Sequence, residues 1–370
     1  MSAGDSESPA SLVGRPDRVF GFDVARAFAI LGMVVVHFSL IMAVDRTGPA
    51  WLTTILGFLD GRPAATFVIL AGIGVTLMSR RARLSDEPAA FADARKVLVV
   101  RGIILLVLGF VNLRIWPGDI LRVYGVSLLL AARLIRASDR RLLLNAADFV
   151  AGFVLLFFVL DFEKNWDWAT LTYRDLWTFG GLVRNLFYDG FRSVLPWTGL
   201  LLFGMWLGRL DLRNRAVNRR VFLAALATAL IAELASWACL AYLLARPERI
   251  DAETAKALFG TESMPALPLF LLAAGGEAVA VIALCVRWVD GGGLWGPLAA
   301  TGQMALTWYF AHIVLGLGSV VALGLTASQP LPVAAACGVG FFATAVLISW
   351  LWKKVFRHGP LEWVMRRIAG

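Results

Sequence analysis

The sequence predicts an all-α polytopic membrane bundle of about ten transmembrane helices with both termini cytoplasmic. Three observations carry that prediction. Of the 370 residues, 59% are hydrophobic and 16% charged, and the mean hydropathy is +0.73; a soluble core of this length cannot hide so much apolar surface. The apolar runs are continuous and about 20 residues long, as membrane helices require, whereas barrel strands would alternate over shorter segments. Basic residues gather at every second junction between runs, as the positive-inside rule demands of an even number of crossings.

The predicted spans are 19–44, 51–79, 97–113, 118–136, 142–160, 193–210, 220–245, 265–288, 297–325 and 331–354. Even-numbered junctions carry Arg80, Arg81, Arg83, Arg95 and Lys96, then Arg133, Arg136, Arg140 and Arg141, then Arg209 to Arg220. Odd-numbered junctions are mixed or acidic, with Asp161, Glu163 and Asp167 in one and Glu248, Asp251 and Glu253 in another. The net charge of +9 is therefore a signature of topology and gives no reason to expect a nucleic-acid partner. Cys239, Cys285 and Cys337 fall within spans without metal-ligand spacing, so they read as packing residues and no metal is expected. Residues 1–18 read as a disordered cytoplasmic tail, 19–355 as one bundle, and 356–370 as a cytoplasmic interfacial tail. The first span reads as a retained signal anchor.

That first span, FGFDVARAFAILGMVVVHF, organises the rest. It holds Asp23 and Arg26 near one end and His37 well inside. Eleven residues separate Arg26 from His37, which at about 100° per residue returns the helix to within about 20° of the same face, about 16 Å further along. A cation at the membrane edge and an imidazole on the same stripe can grip both ends of a long ligand. The plain alternative is an Asp23–Arg26 ion pair at i, i+3 and a packed histidine.

In the second span Asp60 and Arg62 flank the start of a helix at Pro63, where backbone N–H groups are free. Arg101 opens the third, either snorkelling or pairing with a carboxylate. The Pro-Gly of NLRIWPGDILRVYGV breaks the chain, and Asp119 can cap the helix that follows. The segment 161–192, rich in Trp, Tyr and Phe among charges, reads as an interfacial helix with its rings at headgroup level, or as an aromatic roof over a cleft. Glu233 and Glu277 fall mid-span, where an ionisable group needs a partner. The ninth span contains Thr301, Gln303, Thr307, Tyr309 and His312, the last near the depth of His37.

The Arg26-to-His37 pattern resembles the first helix of the transmembrane acyltransferase superfamily, whose type-3 members carry an Arg and, three turns on, a His. GDILRVYGV at 118–126, TGQMALTWY at 301–309 and HGPLEWVMR at 358–366 resemble the YeiB-like bacterial membrane proteins, distant relatives of the heparan-α-glucosaminide N-acetyltransferases. Arg26-Ala27 replaces the Arg-Gly of many of those relatives.

The resemblance implies a bacterial inner-membrane enzyme moving an acyl, expected to be acetyl, group from acyl-CoA to a hydroxyl or amine of a carbohydrate or lipid-linked acceptor. His37 is then the base or acyl carrier, with His312 the second candidate. Arg26 and Arg101 meet the CoA phosphates, Gln303 assists, and Asp23, Asp60, Arg62, Asp119, Tyr124 and Glu277 support them. Membrane lipids surround the chain, and a homodimer is among the expectations. The rival reading is a proton-coupled transporter or flippase using the same intramembrane carboxyls and imidazoles; a third is a subunit with no ligand.

Overall fold

The computed structural model describes residues 18–43, 46–168, 170–289, 293 and 295–370. All but Arg18 of the tail expected over residues 1–18 therefore lies outside the described residues. Helix α1 (Phe20–Met42) is the central post. It packs against α3 (Arg62–Met78), α12 (Pro268–Trp288), α13 (Trp295–Gly302) and α16 (Leu331–Val355). Val24, Ala25, Ala27, Ile30 and Val34 are wholly buried in that contact. Close approach is what lets one helix meet four: a Cβ on Gly302 would run into the Asp23 carbonyl, so no side chain fits there.

The second predicted span is two helices, α2 (Ala50–Leu59) and α3. Gly61 sits at φ 79°, a left-handed conformation that glycine adopts without strain, and Pro63 starts α3 where no N–H is needed. A short α4 (Arg80–Leu84) leads into α5 (Pro88–Asn112), which pairs with α6 (Leu121–Leu134). Beyond α7 (Asp139–Val159), α9 (Val194–Leu207) is inserted between α3 and α7. The 30-residue α10 (Arg215–Leu244) lies on α12 and is followed by the short α11 (Ala252–Phe259).

Among the described residues, seven helical stretches are long and apolar enough to cross a membrane. The other three predicted spans behave differently. Helices α6 and α9 have 14 residues each, about 21 Å at 1.5 Å per residue, short of a hydrocarbon core of about 30 Å. Helix α5 is long enough, yet it carries Arg95, Lys96 and Arg101.

Two further readings change. The segment 161–192 is not one interfacial helix. Trp166–Asp167 and Thr172–Tyr173 pair as a minimal antiparallel ladder, followed by α8 (Phe179–Arg184) and a π-turn at Asn185–Asp189. Its rings pack on one another: Trp166 stacks on Trp168 at 4.8 Å and donates its indole N–H to the Asp189 carbonyl at 2.6 Å. Burial pushes the Asp189 carboxyl up from its ordinary range, while hydrogen bonds from Arg184 and Tyr173 hold it down.

The ninth predicted span is broken as well. Helix α13 stops at Gly302, the chain restarts as α14 (Ala305–Ala311), a π-turn runs His312–Leu317, and α15 (Gly318–Ala322) completes the passage. The restart is capped from elsewhere in the chain. Glu362, on the C-terminal helix α17 (Pro360–Ala369), accepts the Leu306 and Thr307 N–H groups at 2.7 and 3.0 Å and the Thr307 hydroxyl at 2.6 Å. The stretch read as an interfacial tail thus holds a helix that packs against α5 and α14.

Candidate functional site

One cavity of ≈ 1690 Å³ runs along the α1 stripe, lined by Arg26 at one end and His37 at the other. The predicted same-face spacing is what places both in it. At the basic end Asp23 is a buried hub: it accepts from Arg18 at 2.6 Å, from Arg26 at 2.7 Å and from Gln303 at 3.2 Å. Two guanidinium groups and one carboxylate leave a net positive charge facing the cavity. Arg101 lines it too, with its Nη1 on the Met78 sulfur at 3.4 Å and its Nε without a partner among the described residues. It meets no carboxylate there, so its charge is open to a ligand. Arg80, Arg83, Arg209 and Arg366 add to the same mouth.

At the far end the two histidines meet. His37 Nδ1 lies 2.9 Å from His312 Nε2, and the rings stack with centroids 5.1 Å apart. His312 Nδ1 is 3.2 Å from the Trp308 carbonyl oxygen. A carbonyl can only accept, so His312 carries its proton on Nδ1 and presents an Nε2 lone pair; His37 must then donate through Nδ1. That fixes the tautomer of His37 and leaves its Nε2 with a free lone pair, the arrangement a base or nucleophile needs. Trp116 packs on the His37 ring at 4.6 Å and holds its plane. The π-turn that begins at His312 is a distortion of the kind often found where a side chain is presented for function.

Behind the pair is a wholly buried polar network. Asp119 accepts from Asn112 at 2.9 Å, from the Tyr309 hydroxyl at 3.2 Å and from the Arg122 N–H at 3.1 Å. The last bond is the helix cap expected of Asp119. Arg122 in turn reaches Asn185 Oδ1 at 3.1 Å, tying α6 to the outer π-turn. Tyr309 and Tyr124 both line the cavity, and the Tyr309 ring lies 5.6 Å from that of His312.

Other candidates fall elsewhere. Gln303, which could have served the histidines, sits at the opposite end on Asp23. Asp60 pairs with Arg46 at 2.6 Å. Arg62 does not line the cavity; it bridges Glu277 and Glu233, each at 2.5 Å, so the two mid-span carboxylates serve one buried guanidinium. Four contributors escaped the sequence reading: Trp116, Asn112, Arg122 and Arg192. Arg122 stands inside the GDILRVYGV run and Arg192 closes the segment 161–192, and both look like ordinary interfacial arginines in a linear sequence.

A family model described as heparan-alpha-glucosaminide N-acetyltransferase, catalytic, matches residues 18–247. The chain belongs to this acetyltransferase family. A second model, described as a protein of unknown function (DUF418), matches residues 206–370. The chain is 26% identical over 400 residues to the uncharacterized protein YeiB of Escherichia coli K12, covering 95% of this chain and 96% of that one. It is 23% identical over 373 residues to an uncharacterized 39.9 kDa protein in the amylase 3′ region of Bacillus acidopullulyticus, covering 95% and 94%. The acetyltransferase match contains His37 and Arg26, and the region of unknown function contains His312 and Gln303. The histidine pair thus joins the two matched regions.

Proposed function

We propose that this protein is a membrane acyltransferase that takes an acyl group, acetyl in the first instance, from acyl-CoA and passes it to a hydroxyl or amine of a carbohydrate or lipid-linked acceptor. One observation carries the reading: Arg26 and His37 line a single cavity with open guanidinium groups at one end and an unoccupied imidazole lone pair at the other. Guanidinium groups bind phosphate through paired, charge-assisted hydrogen bonds, so the basic mouth suits the nucleotide of CoA. The pantetheine arm then follows the stripe and brings the thioester to His37.

Two routes use the same lone pair. His37 Nε2 can take the proton of the acceptor as it attacks the thioester carbonyl and return it to the CoA thiolate that leaves, or can itself attack, expel the CoA thiolate and hand the acyl group on to the acceptor. In both, positive charge that develops on His37 is shared through Nδ1 with His312. This reading adds α5 and the two short helices α6 and α9 to the seven apolar stretches, for ten crossings in all. With the arginine-rich ends inside, both termini are cytoplasmic and the protein is a multi-pass protein of the bacterial inner membrane.

Purified protein given radiolabelled acetyl-CoA and mixed glycan acceptors tests the reading. His37→Ala is expected to abolish labelled product; undiminished transfer excludes the proposed base. Thermal stabilisation by CoA, and less by dephospho-CoA, is the expected binding signature. A transporter is the second reading, favoured by the two broken passages at Asp60–Gly61 and Gln303–Met304. It predicts no stabilisation by CoA.

A further inference from the structure

Resting on the acyltransferase reading, we propose that the acceptor carries a permanent anion, a carboxylate or a phosphate, beside the group that is acylated, and that Arg192 binds it. Arg192 lines the cavity at the histidine end, close enough for its charge to act on the His37 imidazole. Its guanidinium is held in place from two sides. Nη1 donates to the Phe191 carbonyl at 2.7 Å, and the group lies 4.9 Å from the ring of Trp197, a side chain 1% exposed.

One of five N–H donors is thereby used. Among the described residues Arg192 forms no ion pair, and the neighbouring carboxylate, Asp60, is gripped through both oxygens by Arg46 at 2.6 and 3.3 Å. A half-buried cation that faces a cavity without an ion-pair partner carries a desolvation cost, and that cost is offset when a ligand brings the opposite charge.

The donor cannot bring it. The phosphates of acyl-CoA belong at the other mouth, with Arg18, Arg26 and Arg101, and its thioester end is neutral. The anion must therefore arrive with the second substrate. A fixed, planar guanidinium selects oxyanions that accept two parallel hydrogen bonds, which carboxylate and phosphate do.

The test uses the full-length protein in detergent with radiolabelled acetyl-CoA and four acceptors: glucosamine, glucosamine 6-phosphate, glucuronate and a polyprenyl-phosphate-linked glucosamine. Wild type is expected to favour an anionic acceptor, the soluble and lipid-linked arms telling which source supplies the anion. Arg192→Gln should raise the KM of that acceptor about 10- to 100-fold, the worth of a hydrogen bond to a charged group, and Arg192→Lys should restore part of it. Stabilisation by CoA should survive in both variants. An assay independent of turnover is the added stabilisation of the CoA-loaded protein by glucosamine 6-phosphate over glucosamine, expected in wild type and absent in Arg192→Gln.

A wild-type preference for neutral glucosamine, an equal loss of rate on all four acceptors, or no difference between the two sugars in the stabilisation assay overturns the assignment of Arg192. Loss of CoA stabilisation in wild type, or full transfer by His37→Ala, would instead overturn the acyltransferase reading.

Discussion

Two of the buried ionic clusters in this bundle do different things. Asp119 and Arg122 are 0% and 1% exposed and form a network that ends on Tyr309, against the His312 ring. Arg62 with Glu233 and Glu277 is less enclosed, Glu233 being 36% exposed, and none of the three lines the cavity. The first cluster backs the histidine pair; the second clamps the start of α3 to α10 and α12. Deep charge in a membrane protein is often read as function, yet here both clusters are largely satisfied. What distinguishes the site is what stays open: the His37 lone pair, Arg101 and Arg192.

The largest effect should come from breaking the enclosed network. Asp119→Ala leaves Arg122 buried with a single neutral partner at Asn185, and a loss of about 3–5 kcal/mol is expected, visible as a collapse of detergent-solubilised melting temperature. The paired change Asp119→Leu with Arg122→Met should recover much of that loss, because no charge is then stranded. If the single and double variants melt alike, the pair is not coupled as described.

Arg62→Met strands two carboxylates, but Glu233 reaches the exterior and can relax or protonate. The expected loss is smaller, about 2–3 kcal/mol, and transfer per folded molecule should be retained. A catalytic defect in well-folded Arg62→Met would erase the distinction between the clusters.

Tyr309→Phe removes one hydroxyl from Asp119 while Asn112 remains. A stability change of about 1 kcal/mol is expected, with a modest fall in kcat and an unchanged KM for acetyl-CoA, read in the same labelled assay. The smallest effect is that of Glu362→Gln, which keeps an acceptor at the α14 start and loses the charge. Roughly 0.5–1 kcal/mol is expected, checked by hydrogen exchange at Leu306 and Thr307.

Much of the bundle was legible because bilayer thickness and helix periodicity act on the chain locally. Any apolar run of about 20 residues must satisfy its own backbone, and any two residues eleven apart must share a face. Hence the helices, the stripe from Arg26 to His37 and the capping role of Asp119 follow from the linear sequence. The breaks were legible only in part: Pro63 announced the start of α3, whereas nothing local marks Gln303–Met304, where the missing N–H partners come from Glu362, 56 residues from Leu306.

Pairings across the bundle are of that second kind. Sequence set His37 and His312 at similar depth, but their 275-residue separation meant that helix rotation alone determined whether they met. Composition and spacing therefore determined that this chain is a membrane bundle with Arg26 and His37 on one stripe of its first helix. Tertiary structure decided which charges are spent on one another, as with Arg62, and which remain open to a ligand, because a side chain's partners depend on the orientation of neighbouring helices and no local pattern encodes it.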